Sequence, residues 1–305
     1  MHPTAAFDTA TGLVAPGRRA GTLAQTRIFR AMNIVVGAII VIVVTALTCT
    51  AMLFVRRRAP EGSFFTDGDR ASGVFGVLAT GFSVLLGFII FLAFSSYDQA
   101  RSGAEAEATI VAQQLETAQF FPTDTGKRLS GELVCYGRSV VHTEWPAMAD
   151  GSLGNTANPW GVRMFHTLQG FTPGSDTEQS AYDRWMDQTA TREQARVDRV
   201  HGAEGLIPFP LWVVLYVISG VIFAYMLFFA DRGESATTQV MLMGSVTVVI
   251  TMLLLLLTFF DHPHGGGLGK LQPTAMQRNL RLMDTELTSI KLDLALPCDA
   301  AGRPV

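Results

Sequence analysis

In 305 residues the chain carries 49% apolar and only 16% charged side chains, with a mean hydropathy of +0.30. That balance excludes an ordinary soluble domain and points to a membrane protein. A net charge of −3, with no Lys/Arg run interleaved with aromatics, excludes nucleic acid as a partner.

In chain order, residues 1–30 are rich in Ala, Thr, Gly and Pro and hold Arg18, Arg19, Arg27 and Arg30, the composition of a flexible tail. Residues 31–55 are 25 uncharged residues, too long and too far from the N-terminus for a cleaved signal peptide, and are predicted as the first span. Arg56, Arg57 and Arg58 stop it, and a turn-rich connection leads to the second span, residues 71–96, with 26 uncharged residues. No Pro follows until Pro122, so this helix is predicted to continue into water over 97–120.

The chain is organised around that second span. Gly76, Thr80, Ser83 and Gly87 recur at i, i+4, i+7 and i+11, with Val84 and Phe88 beside them. Such a small-residue face permits close packing of another helix of the same chain, with Ser83 and Gly87 as packing positions. Alternatively, copies of the helix surround an axis, with Gly76 and Thr80 opening the lumen and Val84 and Phe88 narrowing it.

Beyond the rod, Leu129, Leu133, Tyr136 and Val140 form one buried stripe on a helix that Pro146 is predicted to end. A Gly- and Asn-rich loop over 149–158 precedes a short helix at 159–168 and a longer one at about 177–201. No alternation argues for a strand, so 97–204 reads as a helical insertion. Two further spans, 205–230 and 235–260, have 26 uncharged residues each and only DRGE between them. A Gly- and Pro-rich loop then leads to an amphipathic helix from Thr274, with Met276, Leu280, Met283, Leu287 and Ile290 in phase. The last residues, PCDAAGRPV, have a disordered composition. Cys49, Cys135 and Cys298 form no spaced framework and carry no redox argument.

The fold class is therefore an all-α membrane protein with four transmembrane helices and a helical cytosolic insertion between spans two and three. Four spans put both termini and the insertion on one side. Near the membrane that side has nine Lys/Arg against five on the other, which predicts cytosolic termini in a plasma (inner) membrane protein, although Arg56–Arg58 pull the other way. Catalytic residues are not indicated. His142 and Glu144 do not share a helix face, His262 and His264 flank a Pro in a juxtamembrane loop, and GGGLGK lacks the strand and the Ser/Thr of a phosphate loop. Glu105 and Glu107 read as a water-facing surface or an interhelical pair. No metal site, cofactor or enzymatic activity is expected, and uncharged spans argue against a proton-coupled transporter.

The layout resembles that of bestrophins. SVLLGFIIFLAFSSYDQAR is similar to their second-span signature, and DHPHG, with Asp261, Pro263 and Gly265, sits where they carry an Asp/Asn-x-Pro-Phe-Gly-like turn after the fourth span. LVCYGRSVVHTEWPAM and FFDHPHGGGLGKLQPTAM are similar to a bacterial group described only as bestrophin-like, and the resemblance covers about 71–283. It implies a homopentameric channel for inorganic ions, with anions favoured and a neck spaced as Thr80, Val84 and Phe88. The acidic run of the animal calcium clasp is missing, since GGGLGKL has no carboxylate, so calcium gating does not carry over. The partners are then the lipid bilayer, ions and further copies of the chain, five by resemblance. The alternative is a membrane-anchored helical scaffold or sensor that does not conduct.

Overall fold

The computed structural model describes residues 34–305 apart from 152–157, 204, 266, 268, 292 and 293. The N-terminal tail and part of the 149–158 loop lie outside the described residues. Among the described residues, four helices are long and apolar enough to cross a membrane: α1 (Ile34–Arg56), α2 (Gly68–Ala118), α7 (Phe209–Phe228) and α8 (Ala236–Asp261). Between α2 and α7 come α3 (Thr123–Ser139), a π-helical turn (Val140–Glu144), α4 (Trp145–Ala149), α5 (Pro159–Gln169) and α6 (Asp176–Val200). After α8 comes α9 (Thr274–Ser289).

Helix α2 is unbroken over 51 residues, about 77 Å at 1.5 Å per residue. Asp67 caps it, its side chain accepting from the Arg70 N–H at 3.0 Å. One rod therefore belongs to two cores. In its apolar half Phe82, Leu86, Ile89 and Ala93 pack with Leu215 and Ile222 of α7 and Ile250 and Leu257 of α8. In its polar half Val111 and Leu115 join the core built on Leu129, Leu133, Trp160 and Trp185. Helix α1 lies against α8, where the Thr48 and Thr247 hydroxyls meet at 3.0 Å. At the far ends of the spans, Arg56 donates to the Glu234 carbonyl at 2.5 Å and the Gly62 N–H donates to Asp231 at 2.9 Å. These contacts tie the two short interspan loops together.

The stripe Leu129, Leu133, Tyr136 and Val140 is fully buried, but Pro146 does not end its helix. Proline has no N–H to donate back one turn, and the wider π turn at Val140–Glu144 absorbs the mismatch, so the chain stays helical to Ala149. On α9, Met276, Met283 and Leu287 are buried, whereas Ile290 falls beyond the last turn and is exposed.

Two sequence readings are corrected at the C-terminus. Cys298 is disulfide-bonded to Cys135 of α3, 163 residues away, which no local spacing could announce. The last residues are not disordered: 297–305 fold back on themselves, the Val305 N–H donating to the Pro297 carbonyl at 3.1 Å and Asp299 exchanging backbone and side-chain bonds with Arg303. Gly302, at φ +76°, lies so close to α3 that a Cβ there would sit 2.3 Å from the Ser139 nitrogen.

Candidate functional site

The organising helix has a buried face and an open one. Opposite the residues that pack on α7 and α8, Val84 is 68% exposed and Phe88 60%, and Gly76 and Thr80 are exposed as well. A Cβ built on Gly76 or Gly87 would meet nothing within 4 Å. Among the described residues no helix fills this face.

The face is also not uniform. Four residues turn a helix about 40° beyond a full revolution, so Phe88 is rotated about 120° from Gly76. Ser83 and Gly87 border a groove of 360 Å³ that Phe82, Leu86, Ser245 and Val249 line from α2 and α8. Thr80, Val84 and Phe88 turn away from it, and Phe91 and Leu92 extend their side. The Ser83 hydroxyl is satisfied by the Ala79 carbonyl at 2.8 Å. Past the apolar stretch the same side carries Asp98, Ser102, Glu105 and Thr109, all exposed. An apolar surface thus gives way to an acidic, hydroxyl-bearing one on a single rigid helix.

The turn after α8 is built on Asp261. Its Oδ1 accepts from the Leu206 and Ile207 N–H groups at 2.7 and 2.8 Å, fastening the start of the third span to the end of the fourth. Lys270 closes the other side: its Nζ donates to the carbonyls of Phe259 and His262, a cation on the free end of a helix. The Pro263 carbonyl accepts from the Leu271 N–H at 2.9 Å, and Gly265 leaves room beside Lys270. Asp261→Ala would leave two part-buried backbone donors without an acceptor. It should cost about 2 kcal/mol or more, read as earlier thermal inactivation in detergent, with Asp261→Asn losing less because it keeps an acceptor.

His264 lies behind this turn, 3% exposed and edge-on to Trp145 with ring centroids 5.5 Å apart. Burial, with Arg199 and Lys270 nearby, pushes its pKa down to about 4 from 6.5. The unfolded chain therefore binds the extra proton between pH 6.5 and 4, so acid destabilises the fold across that window, by about 3 kcal/mol below it. His264→Phe should flatten this part of the stability–pH curve, measured by thermal melts from pH 7 to 4. Burial likewise lowers the Lys270 pKa to about 8.

Sequence reasoning missed a buried ionic cluster that joins α2, α3, the π turn and α6. Arg199 is bound by both oxygens of Glu107 and, at 2.5 Å, by Glu144. The Tyr136 hydroxyl donates to Glu107 at 2.5 Å and Asn158 donates to Glu144 at 2.8 Å. Burial and the neighbouring carboxylates hold the Tyr136 pKa well above its ordinary value. Of the two readings of Glu105 and Glu107, the interhelical pair applies to Glu107, while Glu105 is exposed and pairs with Arg101 at 3.3 Å on its own helix. His142 is exposed and Glu144 buried, so that pair is not brought together.

Comparison with known proteins adds the fold's relatives. No match to a curated protein sequence was found. A crystal structure of a bacterial bestrophin homologue from Klebsiella pneumoniae, in a mutant form, is similar at TM-score 0.62 and 15% identity over 80% of this chain and 98% of that one. The homologue phased with zinc is similar at 0.60 and 14%, over 83% and 99%. A structure described as that of a membrane protein is similar at 0.61 and 16%, over 80% and 98%. At these identities the likeness establishes the fold. The family model of the bestrophin-like domain matches residues 35–275, and with most of its length matched the chain belongs to the bestrophin-like family.

Proposed function

We propose that the chain forms an oligomeric ion channel in which α2 helices from several copies surround an axis. The observation that carries this reading is the open face of α2: small and apolar residues through the membrane, without a partner among the described residues, on a helix whose opposite face is packed. In a closed ring that face meets an axis and the edges of neighbours, and Gly76 and Thr80 lie toward its wider part. Val84 and Phe88 form a ring that offers a permeating ion nothing to replace its hydration, so the neck closes by dewetting. The ring has five copies and favours anions by resemblance to the family. The membrane is the plasma membrane, with the termini and the helical domain in the cytosol, as the nine-to-five charge count supports.

The test is an oligomer mass in detergent combined with bilayer recording. A closed ring with current in chloride salts is the expected result, and Gly76→Leu should lower the oligomer's stability. A single-chain mass unaffected by Gly76→Leu removes the ring. A ring without current in chloride, potassium or sodium salts leaves the scaffold or sensor reading instead. A reporter fused near Gly154 that is active only outside the membrane would overturn the orientation.

A further inference from the structure

The C-terminal hairpin is fastened to one short stretch of chain. Besides the Cys135–Cys298 bond, the Asp299 carbonyl accepts from Arg138 at 3.3 Å and the Ala301 carbonyl from Thr143 at 3.3 Å. Trp160 Nε1 donates to the Gly302 carbonyl at 2.6 Å. Residues 135, 138 and 143 run from the last turns of α3 into the π turn, and the next residue is Glu144 of the buried ionic cluster. The hairpin therefore braces the segment that presents Glu144 to Arg199.

We propose that Cys135 and Cys298 are a reversible redox-modification site, closed by the disulfides and opened by the thiols of small cellular thiol–disulfide couples. This rests on the cytosolic orientation proposed above, because persistent structural disulfides belong to oxidising compartments whereas cytosolic ones are transient and redox-sensing. The attachment suits a bond that opens and recloses. A short hairpin held to the helices by three side-chain hydrogen bonds and the packing of Leu294 and Leu296 opens locally without unfolding the helices beneath it. Once the bond is reduced, the short connection from the end of α9 at Ser289 keeps Cys298 near Cys135 for intramolecular reclosure.

Cys298 is slightly exposed and Cys135 fully buried, so an incoming thiolate attacks the Cys298 sulfur and Cys135 leaves as thiolate. A second small thiol then displaces Cys298, giving two protein thiols and one small disulfide. Closure is the reverse: the protein pair loses two electrons and two protons, and the small disulfide leaves as two thiols. Oxidation clips the hairpin over α3 and the π turn, and reduction frees residues 294–305 from that surface.

The full-length protein in detergent, carrying Cys49→Ser to remove the third thiol, is equilibrated with glutathione at graded ratios of reduced to oxidised form. Thiols are trapped with maleimide and counted by mass. The expected result is a two-electron titration in which the reduced protein loses its C-terminal residues to carboxypeptidase at least about tenfold faster than the oxidised protein, with protection restored on reoxidation. Cys298→Ser should behave as the reduced protein at every ratio. Should that variant fail to fold, the reduced parent carries the same comparison.

A bond that never forms, one that resists dithiothreitol in the folded protein, or equal cleavage of both forms overturns the proposal. In intact cells, trapping by a membrane-permeant maleimide but not by an impermeant one supports the cytosolic side. Trapping by the impermeant reagent overturns the orientation and with it the cytosolic role of the pair, while the glutathione titration still decides whether the bond is reversible.

Discussion

Arg199→Met should be among the most damaging single substitutions in the helical domain, costing about 3–5 kcal/mol, because it leaves two carboxylates buried without their shared counterion. Glu107 is inaccessible and Glu144 nearly so, and Arg199 bonds both. The contact exists because α2 and α6 approach closely at Gly103, where a Cβ would sit 2.6 Å from the Arg199 nitrogen. Loss of packing alone would be smaller, since methionine keeps an unbranched apolar stem of similar reach and gives up only the contacts of the guanidinium with the Trp145 ring and the Met148 sulfur. The double variant Arg199→Met with Glu107→Leu separates the two causes. It removes the stranded charge on α2 and leaves Glu144 with Asn158 and Arg196, so it should recover much of the loss despite costing the Tyr136 hydroxyl its acceptor. Fluorescence of the buried Trp145, Trp160 and Trp185 during denaturation reports on this domain. A single variant as stable as the parent would deny the cluster this role.

The parts of the molecule that could be read from sequence were those encoded by local repetition. Uncharged runs of the right length declare spans, the seven- and four-residue spacing of Leu129, Leu133, Tyr136 and Val140 declares one buried stripe, and the absence of Pro before Pro122 announces the long rod. What escaped was encoded by distance. Glu107 and Arg199 are 92 residues apart and Cys135 and Cys298 163, and no periodicity links such positions. Pro146 misled because a helix-breaking residue is tolerated where a π turn already relinquishes the regular hydrogen bond. The open face of α2 was half legible: its small residues were visible, but only the packing around them shows that no helix among the described residues fills it. Asp261 was marked only by its place after the fourth span, and its use as a cap for the third depends on the two spans ending side by side.

Phe88→Ala and Val84→Ser should each raise conductance in a reconstituted bilayer severalfold while leaving the oligomer mass unchanged. Both side chains are more than half exposed, and neither belongs to the packed core, so shortening them removes little that holds the chain together. In the proposed ring they stand at the narrowest level, where apolar walls expel water and an ion meets the full cost of lost hydration. A hydroxyl at 84 or a wider lumen at 88 lets water remain, which lowers that barrier without a moving gate. The two variants should differ in selectivity. Phenylalanine presents a positive ring edge or a negative ring face according to its rotamer, so Phe88→Ala alters the preference between anions and cations, whereas Val84→Ser changes mainly the magnitude of current. Val217→Ala is the control: it is 59% exposed on α7, a different span, so it tests whether any exposed apolar truncation has the same effect. Equal gains from all three would point to general loosening of the spans and not to a neck at Val84 and Phe88.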